Sequence, residues 1–379
     1  MSATLGALVL LALLEILGRI LYPLTREARA AREATRDHRV GLSYLGGDLG
    51  AYTVLRDIYL LEKRYLPFLG WLGAPNIRLA TIETNAMGFR DGAVQARAEG
   101  EYRVLITGGS FAWGLGASSN AMTVAGRLEE LLNRRDPAIR YRVTNGAFMN
   151  WTSRHEYVVV TEFFDAFDPD LVVSLSGYND LVTLSKGIEI DALPEARLLA
   201  QAVADHLQPL GTLRALRKLA GTLGLWRLVV LLRGTVTARS LAHQYYRYEP
   251  QEGPRQVVRT AERYLSIAEY LARRKRRYLL ALEPEIYSSR KPLTVEEFDL
   301  KSYFIQLDHG LLATLTRYRR DLKAKLEKLA EGRFQLLDLA DIFDQETRPV
   351  FIDYNHVCDL GNELVAEVLA KAISGPAAR

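Results

Sequence analysis

A single cysteine, Cys358, stands in 379 residues, which excludes an internal disulfide and leaves the redox compartment open. Histidine is scarce too. The six imidazoles are scattered with no recurring ligand spacing, so no metal site and no cofactor is expected. No nucleic-acid motif accompanies the net charge of +4, and so mildly basic a balance fits an anionic membrane surface or substrate better than a nucleic acid. No positive residue precedes the first apolar run, Ala3 to Leu24, which argues against a signal peptide although Ala28-Arg29-Ala30 resembles a cleavage site. That run carries only Glu15 and Arg19 as charges, and about 20 apolar residues are needed to cross a bilayer. Residues 1–24 are therefore read as a membrane anchor helix, with a helix lying in the interface as the alternative.

What is present begins with Tyr102 to Gly116, YRVLITGGSFAWGLG. Val104, Leu105 and Ile106 form a continuous apolar run, as expected of a parallel strand buried on both faces. Gly108 and Gly109 stop it and deliver Ser110 into a turn, where glycine lets backbone N–H groups approach a reactant. Ser110 is the candidate nucleophile. Near the other end, Asp353 and His356 stand three residues apart just before a stretch of helical spacing, Asn362 to Ile373. On one short loop the carboxylate can hold one imidazole nitrogen while the other acts as general base. Two more strands end in hydrogen-bonding residues: Leu171 to Ser176 runs into Gly177-Tyr178-Asn179-Asp180, and the Tyr141 strand into a loop with Gly146 and Asn150. In open α/β sheets such carboxyl-end loops converge on one crevice.

These four blocks, in this order, resemble the SGNH (GDSL) hydrolase family, and NAMGFR at Asn85 to Arg90 resembles the lead-in of its membrane-anchored branch. The family's G-D-S block is matched by Gly108-Gly109-Ser110, with glycine in place of aspartate. Its G-x-N-D block is Gly177, Asn179 and Asp180, and its D-x-x-H block is Asp353 and His356. The resemblance implies an oxyanion hole made by the N–H of Ser110, the amide of Asn179 and a donor from the second block. There the family's glycine falls on Asn150, which as asparagine tolerates positive φ, with Gly146 as the alternative donor. Gly109, Gly146, Gly177 and Asp180 would support the site.

The expected fold class is α/β: a three-layer α/β/α architecture around a five-stranded, mainly parallel sheet, SGNH/flavodoxin-like, with an N-terminal membrane helix and a helical cap insertion. Strands are expected at 102–107, 141–145, 171–176, 278–282 and 334–337, and helices at 120–134, 153–167, 255–274 and 308–330, the second opened by a Ser153/Glu156 capping box. Residues 25–91 form an approach segment with a helix over Tyr52 to Leu66. Residues 92–183 and 251–379 form the catalytic domain. The insertion 184–250 holds Arg214, Arg217, Lys218, Arg227, Arg233 and Arg239, with Asp205 the only acid between Asp205 and Ser240. It reads either as basic apolar helices on an anionic bilayer or as a helical cap with a solvated basic face. Glu283, after the fourth strand, is a further crevice residue.

The expected activity is that of a serine ester hydrolase acting through an acyl-serine on an O-acyl ester of a glycan or lipid at a membrane. An O-acyltransferase passing the acyl group to a saccharide hydroxyl and a non-catalytic binding module are the alternatives. A nucleotide-binding dehydrogenase, suggested by ITGGSFAWGLG and by Tyr287 with Lys291, fails on glycine spacing. Arginines after the apolar run favour a cytoplasmic domain, whereas resemblance to anchored relatives implies the exported, periplasmic side of the inner membrane.

Overall fold

The computed structural model describes residues 2–92, 95–185, 223–224, 253–307 and 311–373. The chain enters through one long helix, α1 (Ser2–Arg36). Its second half packs on α2 (Gly50–Leu60) and buries Ala30 and Ala34. Its first half leaves Leu10, Leu13, Ile16, Leu17 and Ile20 exposed. The expected membrane span is not found: among the described residues no helix is long and apolar enough to cross a membrane. The apolar run is interrupted by the Glu15–Arg19 ion pair at 2.7 Å, and Arg26, Arg29, Arg32 and Arg36 follow in the same helix.

The helix expected over Tyr52 to Leu66 ends at Leu60, and β1 (Lys63–Leu66) pairs antiparallel with β2 (Gly70–Gly73). Pro67 contributes at the strand's end, since the residue before a proline, here Leu66, is pushed into extended backbone. Phe68 (φ +69°) and Gly70 (φ +84°) then close the hairpin.

Next come β3 (Glu101–Gly108), α3 (Ser110–Trp113), α4 (Val124–Arg135), β4 (Arg140–Asn145), α5 (Ser153–Glu162), α6 (Phe164–Phe167), β5 (Leu171–Ser176) and α7 (Tyr178–Ser185). After the insertion follow α8 (Gly253–Arg273), β6 (Arg277–Leu282), α9 (Val295–Leu307), α10 (Leu311–Ala330), β7 (Gln335–Asp338) and α11 (Asp359–Ala372). Five strands form one parallel sheet in the order β4-β3-β5-β6-β7. Val104, Leu105, Ile106, Val172, Val173 and Leu175 are at most 1 % exposed, and complete burial of each such side chain contributes about 1.5–3 kcal/mol.

This order decides where a site can form. The chain steps outward from β3 to β4, then crosses back over β3 to β5, β6 and β7. Right-handed crossovers therefore place α4 on one face and α5, α8 and α10 on the other. The packing agrees: α4 lies against α11, while α8 lies against α5 and α10. The chain diverges to opposite faces after β3 and β5, and their carboxyl ends frame a topological switch point, the crevice where open α/β sheets bind ligands.

The cap of α5 differs from expectation. Thr152 with His155 makes the capping box, not Ser153 with Glu156, because both latter side chains are drawn into the interior: Ser153 bonds Asp180 and Glu156 bonds Thr107. Apart from Leu184 and Ser185, which end α7, and Leu223 and Gly224, the insertion, including its six basic residues and Asp205, lies outside the described residues. Gly224 donates its N–H to Glu15 of α1 at 2.8 Å.

Candidate active site

Strand β3 ends at Gly108, whose φ is +147°, and a Cβ there would lie 2.1 Å from the Leu175 carbonyl oxygen of β5. Only glycine lets the backbone leave the sheet so close to its neighbour. Gly109 precedes α3, and Ser110 is that helical turn's first residue, so its N–H lacks an intrahelical acceptor and points outward from the strand end. Gly114 and Leu115 both donate to the Ser110 carbonyl, at 3.1 and 2.9 Å, which fixes the turn.

The second part of the site is a tight loop between Phe351 and Val357, which form an isolated antiparallel bridge. Inside it, Ile352 donates to the His356 carbonyl at 2.9 Å. The Asp353 Oδ1 accepts the N–H groups of Asn355 at 3.2 Å and His356 at 2.9 Å. This turn, in which an aspartate bonds backbone two and three residues ahead, leaves the carboxylate and imidazole face to face. His356 Nδ1 lies 2.8 and 2.7 Å from the two Asp353 oxygens, and its Nε2 lies 2.6 Å from Ser110 Oγ. Ser110, Asp353 and His356, named from the sequence, thus form one continuous relay. Burial alone would push the Asp353 carboxyl up, but the adjacent His356, its hydrogen bonds and Arg39 hold it well below the usual carboxylate range.

Of the expected oxyanion residues, Asn179 lies beside the nucleophile turn, its Nδ2 2.3 Å from where a Cβ on Gly109 would stand. Asn150 adopts φ +63°, a conformation that asparagine tolerates better than most side chains, and it is exposed. Gly146 is not a donor to this site, because its N–H is spent on the Ile106 carbonyl at 2.7 Å as an extension of the sheet. Asn179 donates through Nδ2 to the Trp151 carbonyl at 2.8 Å. That bond orients the amide and leaves its second N–H for a ligand. Gly177, at φ +110°, terminates β5. Asp180 is wholly buried and faces away from the crevice. It accepts the Ser153 N–H at 2.9 Å and hydroxyl at 2.6 Å, tying the start of α7 to the start of α5, and burial pushes its carboxyl up. Glu283 lies behind the triad loop, not in an open crevice. It is 2 % exposed, reaches Asn355 Nδ2 at 3.4 Å and is pushed well up by burial.

Sequence reasoning missed three supports of this loop. Arg39 Nη1 donates to Asp353 Oδ2 at 2.9 Å, and Tyr44 donates its hydroxyl to the Phe351 carbonyl at 2.7 Å. Glu297, paired with Lys291 at 2.7 Å in full burial, accepts the N–H groups of Val350 and Phe351 at 2.9 and 3.0 Å. That pairing also occupies the lysine of the dehydrogenase reading. No motif marks these residues, since each acts across a long separation in sequence.

No protein-family model matches the sequence, and no curated protein matches it. Among solved structures, an α/β-hydrolase enzyme from the metagenome of Lake Arreo is 15 % identical, with 72 % of this chain and 95 % of that one covered at a TM-score of 0.41. An acetyl xylan esterase, AlAXEase, is 14 % identical over 72 % of this chain and all of its own, at 0.39. A catalytic-mutant form of an acetylxylan esterase from Geobacillus stearothermophilus is 12 % identical over 73 % of this chain and 97 % of its own, at 0.40. Likenesses this distant assign no activity. The chemistry open to this chain is set by its own sheet order and loop geometry.

Proposed function

We propose that the chain is a serine ester hydrolase that cleaves O-acyl esters, those of a glycan or lipid-like alcohol, through an acyl-serine intermediate. The observation that carries this reading is the unbroken run of contacts from Ser110 Oγ through His356 to Asp353, set at the switch point of the sheet. In this mechanism Ser110 Oγ attacks the ester carbonyl carbon while His356 Nε2 takes its proton. Asp353 holds the opposite nitrogen and so fixes the tautomer and steadies the imidazolium. Negative charge on the carbonyl oxygen meets the N–H groups of Ser110 and Asn150 and the free N–H of the Asn179 amide. His356 then protonates the leaving alcohol, and water activated by the same nitrogen releases the acid and restores Ser110.

One observation favours transfer to a hydroxyl acceptor as a second reading: Ser110 is 6 % and His356 4 % exposed, so bulk water has little access to the acyl-enzyme. Faster acylation of an added saccharide than release of free acid would select it.

The setting belongs to the proposal too. The exposed leucines and isoleucines of α1, followed by four arginines, suit a helix lying in the interface of an anionic membrane. The domain is placed on the exported side in this proposal, to be read by protease accessibility of the membrane fraction. The decisive experiment is turnover of short-chain nitrophenyl esters with fluorophosphonate labelling. Wild type should hydrolyse and label at Ser110, and Ser110→Ala should do neither. Equal turnover by the two proteins would end the reading.

A further inference from the structure

A general base is neutral before it acts, so the resting relay contains a buried anion, the Asp353 carboxylate, with 4 % of its side chain exposed. A buried carboxylate without a counter-charge is costly. That charge arrives from the far end of the chain. Arg39, whose side chain is 12 % exposed, places Nη1 at 2.9 Å from Asp353 Oδ2. The guanidinium is itself held: Asp37 accepts from its Nε at 2.9 Å, its Nη2 at 2.8 Å and its backbone N–H at 3.0 Å, and Tyr59 donates to the same carboxylate at 2.9 Å. Asp37 directly follows α1, so the approach segment and the relay form one hydrogen-bonded unit.

The sum of charges shows what this unit does. Asp37, Arg39 and Asp353 together carry one negative charge at rest, and the unit becomes neutral when His356 takes the serine proton. Without Arg39, two carboxylates would stand in the interior uncompensated. The other groups facing Asp353 are His38 and Tyr44 of the approach segment, Tyr178 of α7 and Tyr354 of the loop. None has the permanent charge of a guanidinium.

We propose that Arg39 is a positioning residue of the relay: it pins Asp353 Oδ2 and supplies the counter-charge that lets this carboxylate stay buried beside His356. The inference rests on the esterase reading above. Its test compares Arg39→Ala and Arg39→Lys with wild type by ester kinetics across pH, and by nitrogen-15 NMR titration of the His356 imidazole. Loss of alignment should lower kcat of Arg39→Ala by roughly 10²-fold, with KM little changed. Removing a cation near the imidazole should move the acid limb of kcat/KM, and the NMR midpoint, to higher pH. Arg39→Lys, which keeps the charge, should restore the limb and part of kcat. A wild-type kcat in Arg39→Ala overturns the proposal. So does a fall in kcat with both midpoints unmoved and no recovery by lysine, which marks a merely structural role. If wild type turns over no ester, the esterase reading falls, and the imidazole titration still decides what Arg39 does.

Discussion

Gly109 and Asn179 approach so closely that a Cβ on residue 109 would lie 2.3 Å from the Asn179 amide nitrogen and 3.2 Å from the Trp151 carbonyl that orients it. The glycine that stands where the family block has aspartate is therefore matched to its surroundings. Gly109→Asp should push the amide off its bond to Trp151 and spoil one oxyanion donor, with about 10²–10³-fold lost in kcat. Steady-state kinetics on a short-chain ester, with circular dichroism to confirm folding, measures this. A fully active Gly109→Asp would show that Asn179 is not held where the oxyanion forms.

In the proposed mechanism Asn150 acts through its backbone N–H, and its side chain only has to permit φ +63°. Asn150→Gly should therefore stay within a few-fold of wild type in kcat, since glycine adopts this conformation freely. Asn150→Val should lose most activity, because a β-branched residue at positive φ is a steric outlier. Equal loss in both variants would instead give the asparagine side chain the decisive role.

Glu297 and Lys291 form an ion pair with 0 % exposure on both sides, and the same carboxylate holds Val350 and Phe351 at the root of the triad loop. Breaking such a pair from one side leaves a buried charge alone and costs about 3–5 kcal/mol. Glu297→Ala should show that loss in urea unfolding. Its activity should also fall below what the folded fraction explains, because the loop carrying Asp353 and His356 loses its anchor. A variant as stable as wild type would mean that the lysine finds other partners.

The sheet is legible in the sequence because each strand is a short apolar run between turn residues: Leu171 to Ser176 is matched to the residue, and the other four strands within one. The relay is legible because Asp353 and His356 are neighbours in sequence and Ser110 follows a paired glycine. What stays hidden acts through space. Nothing local to Asp37 or Arg39 points to a carboxylate 314 residues away, and Gly146 loses its role only because its N–H extends the sheet. Residues 63–66 mislead because the helical reading continues to Leu66, while pairing with residues 70–73 across the hairpin holds them extended. The N-terminal run misleads through its average hydropathy, which hides an ion pair at its middle.

Glu156 lies fully buried on α5, accepting a hydrogen bond from Thr107 at 2.9 Å. Burial pushes its carboxyl up to about 7 although Ser176, Ser174 and Thr107 pull the other way, and Asp180 adds to the rise. With the folded value raised, the folded state binds more protons than the unfolded chain between the usual glutamate value and about 7. The stability contributed by this group is thus complete below that window and is lost as pH rises through it. The midpoint of thermal unfolding should therefore decline between about pH 4.5 and pH 7 relative to Glu156→Gln, which cannot ionise. Above that window the two proteins should differ by a constant amount, with glutamine the more favourable partner if its amide keeps the Thr107 contact. Parallel curves through that window would mean that Glu156 titrates alike in the folded and unfolded states, or is charged throughout it. The raised value would then be wrong.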